Sequence, residues 1–237
     1  MNRAGQMSDD KRNEGLLLAD IFGLESLADE ITSKLAAETN DPPTATAILG
    51  PFWRKDAPKY QMGDSIVSGS KEGEHTLMSG RVVDFDTGKP IENAELDVWQ
   101  SATNGKYENQ DADQPNMNLR GRFYTGSDGK YHFYCLRPTK YAIPDDGPSG
   151  DVLQLLDRHP WRPAHIHFII SAAGYKPIVT QIFDRTDEHI HNDVAFAVKD
   201  SLIVDFAPLE GDPKAQFDLK YDFKLVSYEA AKKYGPT

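Results

Sequence analysis

From Glu74 to Tyr228 the chain runs in short stretches of alternating or β-branched residues, each stopped by turn formers, and this pattern restricts its fold more than any other feature. Alternation with a period of two puts every second side chain on one face of a strand. Thr76–Asp84, Glu95–Gln100, Arg122–Tyr124, Lys130–Cys135, His165–Ser171, Ile178–Phe183, Leu202–Phe206 and Phe217–Tyr228 all read this way. Asp86-Thr87-Gly88-Lys89 and Ser127-Asp128-Gly129 carry hairpin-turn chemistry, so the strands on either side of each are expected to pair. Seven or eight short strands with almost no helix among them predict a mainly β chain, an antiparallel β-sandwich.

The N-terminal part differs. Residues 1–14 are polar and read as a frayed end. From Glu14 to Glu38, Leu17, Ile21, Leu24, Ala28, Ile31 and Leu35 recur in steps of four and three, a helical stripe that Gly23 bends or divides. One amphipathic helix cannot cover its own stripe, so this face needs the following domain or another subunit. Pro42, Pro43 and Pro51 forbid a continuous helix in the connector, whose Phe52 and Trp53 are expected against the core. The expected organisation is a short N-terminal helical segment, 1–40, followed by one β-sandwich domain, 41–237.

Charge and composition remove several functions. A net charge of −11 without a basic stripe repels phosphate backbones, so no nucleic-acid partner is expected. The single cysteine, Cys135, excludes an internal disulfide framework and sits in a strand pattern as a buried structural thiol. The start of the chain carries no signal-peptide core, and no run approaches the roughly 18 apolar residues of a membrane span. A soluble, cytoplasmic protein without a membrane partner is expected.

Pro163-Ala164-His165-Ile166-His167-Phe168 is the most informative stretch. On a strand, His165 and His167 share one face while Ile166 and Phe168 take the other. Two neighbouring neutral imidazoles suit a metal ion, although two strand histidines also arise by chance. His189 and His191 repeat the spacing among charged, turn-forming neighbours, where a solvated loop is the better reading. Further ligands are sought in the irregular segments 101–120 and 136–164, loops long enough to be functional. They carry Tyr107 and Tyr141, which on their own read better as rings covering loop backbone.

From about Leu16 to Tyr228 the chain resembles the intradiol ring-cleavage dioxygenases, the group of catechol and hydroxyquinol 1,2-dioxygenases. The stretches that carry the resemblance, in the expected order, begin with Ile48-Leu49-Gly50-Pro51-Phe52, Asp97-Val98-Trp99-Gln100, Gly105-Lys106-Tyr107 and Arg120-Gly121-Arg122. Thr139-Lys140-Tyr141, Arg162 through Phe168 and Thr180-Gln181-Ile182 complete them. The resemblance implies one non-haem iron(III) per subunit, held by Tyr107, Tyr141, His165 and His167, with Tyr141 and His167 axial. Two phenolates and one hydroxide balance three positive charges, so such a site is formally neutral and can be buried. The reaction implied is cleavage of a catechol-type ring by dioxygen between its two hydroxylated carbons, giving a muconate-type diacid.

By the same resemblance Tyr141 is also a base, Arg162 stabilises charge on the ring, and Gln181 hydrogen-bonds to the reacting oxygen. Leu17, Ile48, Pro51, Phe52 and Val194 match an apolar substrate pocket. Asp20 falls where hydroxyquinol-cleaving members carry an aspartate, suited to a third ring hydroxyl, and Tyr141 through Pro148 also resembles that branch. A homodimer is implied as well. The N-terminal helical region is shorter than is usual in the family, which leaves both the dimer interface and an interfacial lipid open. Three alternatives stand beside this reading: a catechol-restricted 1,2-dioxygenase, a non-catalytic prealbumin-like binding module, and a zinc hydrolase using the same histidines.

Overall fold

The computed structural model describes residues 2–9, 12–33, 42–69 and 72–234. The polar start is not frayed throughout, because it holds a short helix, α1 (Asn2–Met7). Ala4 of this helix is buried in one apolar cluster with Leu17, Leu18 and Leu153, and that contact anchors it. The helical stripe divides at Gly23, whose φ of +68° is reached most easily without a Cβ. Before it runs α2 (Glu14–Ile21), capped by the Asn13 side chain, and after it α3 (Leu24–Ser33). The two halves have different fates. Leu17, Leu18 and Ile21 are buried within the chain, whereas Leu24, Leu27 and Ile31 are more than half exposed. Leu35, the last position of the stripe, lies outside the described residues.

Two five-stranded sheets follow. In the first, β1 (His75–Asp84) pairs antiparallel with β4 (Lys130–Leu136) and parallel with β11 (Phe217–Lys220) and β12 (Phe223–Leu225). A two-residue strand, β10 (Ala207–Pro208), extends it beyond β11. The second has the order β3 (Arg120–Tyr124), β2 (Glu95–Trp99), β7 (His165–Ser171), β8 (Ile178–Asp184), β9 (Ile203–Val204), antiparallel except for the parallel pair β8–β9. The chain is therefore mainly β, but its sheets are mixed, which corrects the expectation of all-antiparallel pairing.

The two hairpins are also corrected. Both turns form, and Asp84 caps the first by accepting the Thr87 and Gly88 N–H groups on its side chain and carbonyl. After each turn, however, the strand crosses to the other sheet: β1 pairs with β4, and β2 with β3 and β7. Turn chemistry reverses a chain without choosing its next partner. The expected strand 217–228 breaks at Tyr221-Asp222, where Asp222 turns to accept the Arg81 N–H at 2.8 Å.

Alternation is kept within each strand. Met78 and Val82, Leu96 and Val98, Phe133 and Cys135, Ile166, Phe168 and Ile170, and Phe223 and Leu225 form one apolar cluster to which both sheets contribute. Removal of each large side chain from water stabilises the fold by about 1.5–3 kcal/mol. Cys135 is part of this core, and burial pushes its thiol pKa up. Trp53 departs from its expected place, being 38% exposed with its Nε1 donating to Asp97 at 3.0 Å. The segment 136–164 is not wholly irregular either. It contains α4 (Pro148–Leu155) and closes on itself through a two-strand ladder of β5 (Tyr141–Ala142) and β6 (Trp161–Arg162). A final helix, α5 (Tyr228–Tyr234), ends the described chain.

Candidate metal centre

The outward face of β7 carries His165 and His167, since Ile166 and Phe168 are taken by the core. Ladder register then chooses their neighbours. His167 stands opposite Trp99 on β2 and Gln181 on β8, which puts all three on one face in a row across the sheet. The Trp99 indole stacks on the His167 ring at 4.6 Å and 8°. His165 Nδ1 lies 2.7 Å from the Pro163 carbonyl, so it carries the proton and leaves Nε2 as a lone pair. That Nε2 is 3.0 Å from His167 Nε2. Both imidazoles are held neutral: burial, then nearby cationic and imidazole groups, pushes His165 down to about 3 and His167 well below its ordinary value.

The two tyrosines come from the long connections. Tyr141 is fixed by the β5–β6 ladder, directly opposite Arg162. Tyr107 follows Gly105, at φ +75°, where an added Cβ would lie 3.3 Å from both the Lys140 carbonyl and Tyr141 Cβ. The missing side chain lets the two tyrosine-bearing segments touch. Their rings meet edge to face at 5.5 Å, and each also faces an imidazole: Tyr141 lies 5.5 Å from His165 and Tyr107 6.2 Å from His167. Burial raises both phenol pKa values, that of Tyr107 further, because the neighbouring Tyr141 adds to the effect. Tyr141 is offset by Arg162, which reaches its hydroxyl.

Arg162 is buried and fully engaged. Its Nε and Nη2 each donate to an Asp193 oxygen at 3.0 Å, Nη2 also donates to Gln181 Oε1 at 2.8 Å, and Nη1 lies 3.2 Å from His165 Nε2. Burial alone would raise the Asp193 carboxyl, but Arg162 and the N–H groups of Ala195 and Ala197 hold it low. Gln181 passes the connection on, its Nε2 donating to the Ile48 carbonyl at 2.6 Å. Behind Tyr107, buried Arg120 pairs with Glu108 at 2.6 Å and lies 5.9 Å from the Tyr107 ring.

The expected pocket residues divide by contact. Leu17, Phe52 and Val194 join Tyr107, Tyr141, Trp99 and Ile21 in one apolar cluster, with Phe52 stacked on Tyr107 at 4.5 Å. Ile48 belongs to an adjoining cluster with Phe183 and Ala195, and Pro51 is half-buried in the turn before Phe52. Asp20, on α2, is buried rather than a helix-surface group, and burial followed by Glu25 pushes its carboxyl up to about 8. His189 stays apart from the four-residue group, stacked on Trp161 and beside His159.

Sequence reasoning missed Asp193, Trp99 and Glu25. Asp193 lay within the stretch read as a solvated loop. Trp99 lay within a matched motif, and only register brings it over His167.

This donor set fits a hard cation. The two histidine Nε2 atoms lie 3.0 Å apart beside two buried phenols, and Tyr107 Oη is buried without a well-aligned partner. Buried polar atoms left in this way cost free energy that a bound cation can recover. Among the described residues no group of three or more His, Cys, Asp or Glu could hold a metal, and the side chains beside this histidine pair are the two tyrosines.

Comparison with known proteins gives the class. Residues 48–227 match the sequence family described as "Dioxygenase", and residues 1–40 match "Catechol dioxygenase N terminus". An intradiol ring-cleavage dioxygenase of Aspergillus niger is 45% identical over 237 residues, 100% of this chain and 74% of that protein. A catechol 1,2-dioxygenase of Candida albicans is 45% identical over 234 residues, 96% of this chain and 76% of its own. The crystal structure of a hydroxyquinol 1,2-dioxygenase from Pseudomonas putida superimposes with a TM-score of 0.85 at 36% identity, covering 95% of this chain and 80% of that one. The chain belongs to the intradiol ring-cleavage dioxygenase family. It is thus a ring-cleaving oxidoreductase acting on catechol-type aromatics, in a family that generally uses non-haem iron.

Proposed function

We propose that Tyr107, Tyr141, His165 and His167 hold one iron(III), and that the enzyme opens hydroxyquinol in preference to catechol, in the cytoplasmic breakdown of aromatic compounds. The observation that carries the metal reading is the meeting of two buried phenols with two neutral imidazoles whose Nε2 atoms lie 3.0 Å apart. An iron(III) held by these four residues would supply a strong positive charge that favours the phenolate form of the tyrosines and attracts the oxygens of a diol.

The chain's own groups do the rest. Tyr141 Oη takes a proton from a ring hydroxyl, and Arg162 at its hydroxyl steadies the charge on either partner. Asp193 and Gln181 lock the guanidinium, so little reorganisation is needed at the moment of reaction. Leu17, Phe52 and Val194, with Ile48 and Pro51 beside them, exclude water from the ring, and Asp20 bonds a third ring hydroxyl that catechol lacks.

The catechol-restricted reading draws on the 45% identity to the Candida albicans enzyme, and Asp20 is the residue that separates the two. The fold reading that goes with this function is a prealbumin-like sandwich, supported by the apolar cluster common to both sheets. Residues 41–237 form the catalytic domain and 1–40 a dimerisation segment, whose exposed Phe22, Leu24, Leu27 and Ile31 suit a homodimer.

The test is a visible spectrum of the iron-loaded enzyme, titrated without oxygen with hydroxyquinol and with catechol, followed by oxygen uptake. Phenolate on iron(III) absorbs visible light, and each diol should change the band. A colourless, active preparation would reject iron in favour of zinc, and equal affinity for both diols would reject the hydroxyquinol preference.

A further inference from the structure

Asp20 and Glu25 flank the Gly23 break, one near the end of α2 and the other in the first turn of α3. The left-handed residue folds α3 back so that the two carboxyls hydrogen-bond to each other. Each has one buried oxygen with no other partner, Asp20 Oδ1 and Glu25 Oε2. Glu25 Oε1 accepts the Leu49 N–H at 2.9 Å, which fixes the Glu25 side chain on the segment that carries Ile48 and Phe52. The same face of α3 is pinned by Ser26 to the Ala195 carbonyl at 2.7 Å, next to Val194. Two carboxyls in contact cannot both be ionised at low cost, and a single proton between them satisfies both unpartnered oxygens.

We propose that Glu25 is the positioning residue for substrate choice: it accepts the Asp20 proton on the oxygen Leu49 leaves free, and so turns the second Asp20 oxygen into a fixed acceptor for the third ring hydroxyl. This rests on the hydroxyquinol reading of Asp20. A neutral Asp20 also adds no charge beside a substrate that becomes an anion, and a hydrogen bond from a buried acceptor of fixed direction discriminates strongly against a ring lacking the donor. The charged groups facing Asp20 are Glu25 on α3, Asp193 on the loop after β8 and Arg162 on β6. Burial is the largest cause that opposes its ionisation, the first two groups add to it and the third works against them, so Asp20 keeps its proton at neutral pH.

The test uses the full iron-loaded chain and two readouts. Infrared difference spectra at neutral pH should show a carboxylic-acid carbonyl band that Asp20→Asn abolishes. Glu25→Gln, which keeps an acceptor for Leu49, should shift the band and lower the pH at which it fades, because it removes the Glu25 contribution and leaves burial in place. In the parent enzyme, without any substitution, the band should fade as pH rises through about 8.

In kinetics, Glu25→Gln should raise KM for hydroxyquinol about tenfold with a much smaller effect on kcat and on KM for catechol, the size of one well-aligned hydrogen bond. The double variant of Glu25→Gln with Asp20→Ala should do no worse than Asp20→Ala alone. A band unchanged in frequency and in pH dependence in Glu25→Gln, or equal losses on both diols with a lowered melting temperature, overturns the positioning role. If Asp20→Ala itself affects both diols equally, the hydroxyquinol reading fails and takes the specificity role with it. The infrared band then still decides separately whether the proton is shared.

Discussion

His165 and His167 stand two residues apart on the central strand of one sheet, whereas Tyr107 and Tyr141 ride on separate connections and meet only across packed backbone. The imidazole half is set by strand periodicity and by a register shared with Trp99 and Gln181. The phenol half depends on Gly105, on a two-residue ladder and on the apolar cluster that includes Leu17, Ile21 and Phe52. A site divided in this way should fail differently in its two halves. On the proposed ligand set, damage on the strand removes a ligand from an otherwise intact frame, while damage in the loops also loosens the frame.

The largest effect is expected from His165→Ala. Elemental analysis should find the purified variant without iron, its sheet signal by circular dichroism unchanged, and full iron occupancy would reject the ligand set. Tyr141→Phe comes next. On the proposed reading it removes a ligand and a base together, so turnover should fall by roughly 10²–10⁴-fold and the visible band should weaken. Unchanged colour and rate would take Tyr141 out of the site. Asp20→Ala should lower kcat/KM for hydroxyquinol about tenfold more than for catechol, as loss of one hydrogen bond requires. Equal losses would show that the residue serves packing alone.

Smaller and more pointed is a pair of glycine substitutions. Gly105→Ala and Gly174→Ala both put a side chain at positive φ, each costing about 1 kcal/mol or more. Only Gly105 has a neighbour, the Lys140–Tyr141 backbone, and an added Cβ at Gly174 meets nothing within 4 Å. Chemical denaturation should show similar destabilisation, with iron affinity reduced in the first variant alone. If both retain iron equally, close contact of the tyrosine segments is not what builds the phenol half.

The smallest effect is on pH dependence of the iron-free chain. His165 has a folded pKa of about 3, below its unfolded value of 6.5, so its contribution is complete above 6.5 and is lost as pH falls from there towards 3. Asp20 has the opposite sign: with a folded value of about 8 against 3.8, its contribution is complete below 3.8 and is lost as pH rises towards 8. Melting temperature against pH should therefore lose slope on the acid limb in His165→Ala and on the alkaline limb in Asp20→Asn. Parallel curves for the parent and both variants would contradict these environments.

Much of this was legible in the sequence, and for physical reasons. Side-chain alternation is local, so the strands, the shared face of His165 and His167, and the burial of Cys135 could be read directly. The division of the helical stripe at Gly23 and the apolar role of Phe52 were equally local. Asp193 was not legible: a carboxylate among turn formers reads as solvated until a guanidinium from β6 is known to reach it. Nor could hairpin chemistry show that β1 and β2 part company, because a turn fixes the reversal of the chain and long-range burial chooses the pairing.

The sequence by itself determined which residue types were present to hold a cation and which of them shared a strand face, since both follow from covalent order and a two-residue period. Only the tertiary structure decided that Tyr107 and Tyr141 meet, that Arg162 is locked between Asp193 and Gln181, and that Asp20 faces Glu25. Those contacts join residues far apart in the chain or on opposite sides of a turn. Their free energy comes from burial and hydrogen bonding that exist only once both sheets and α2 have closed around them.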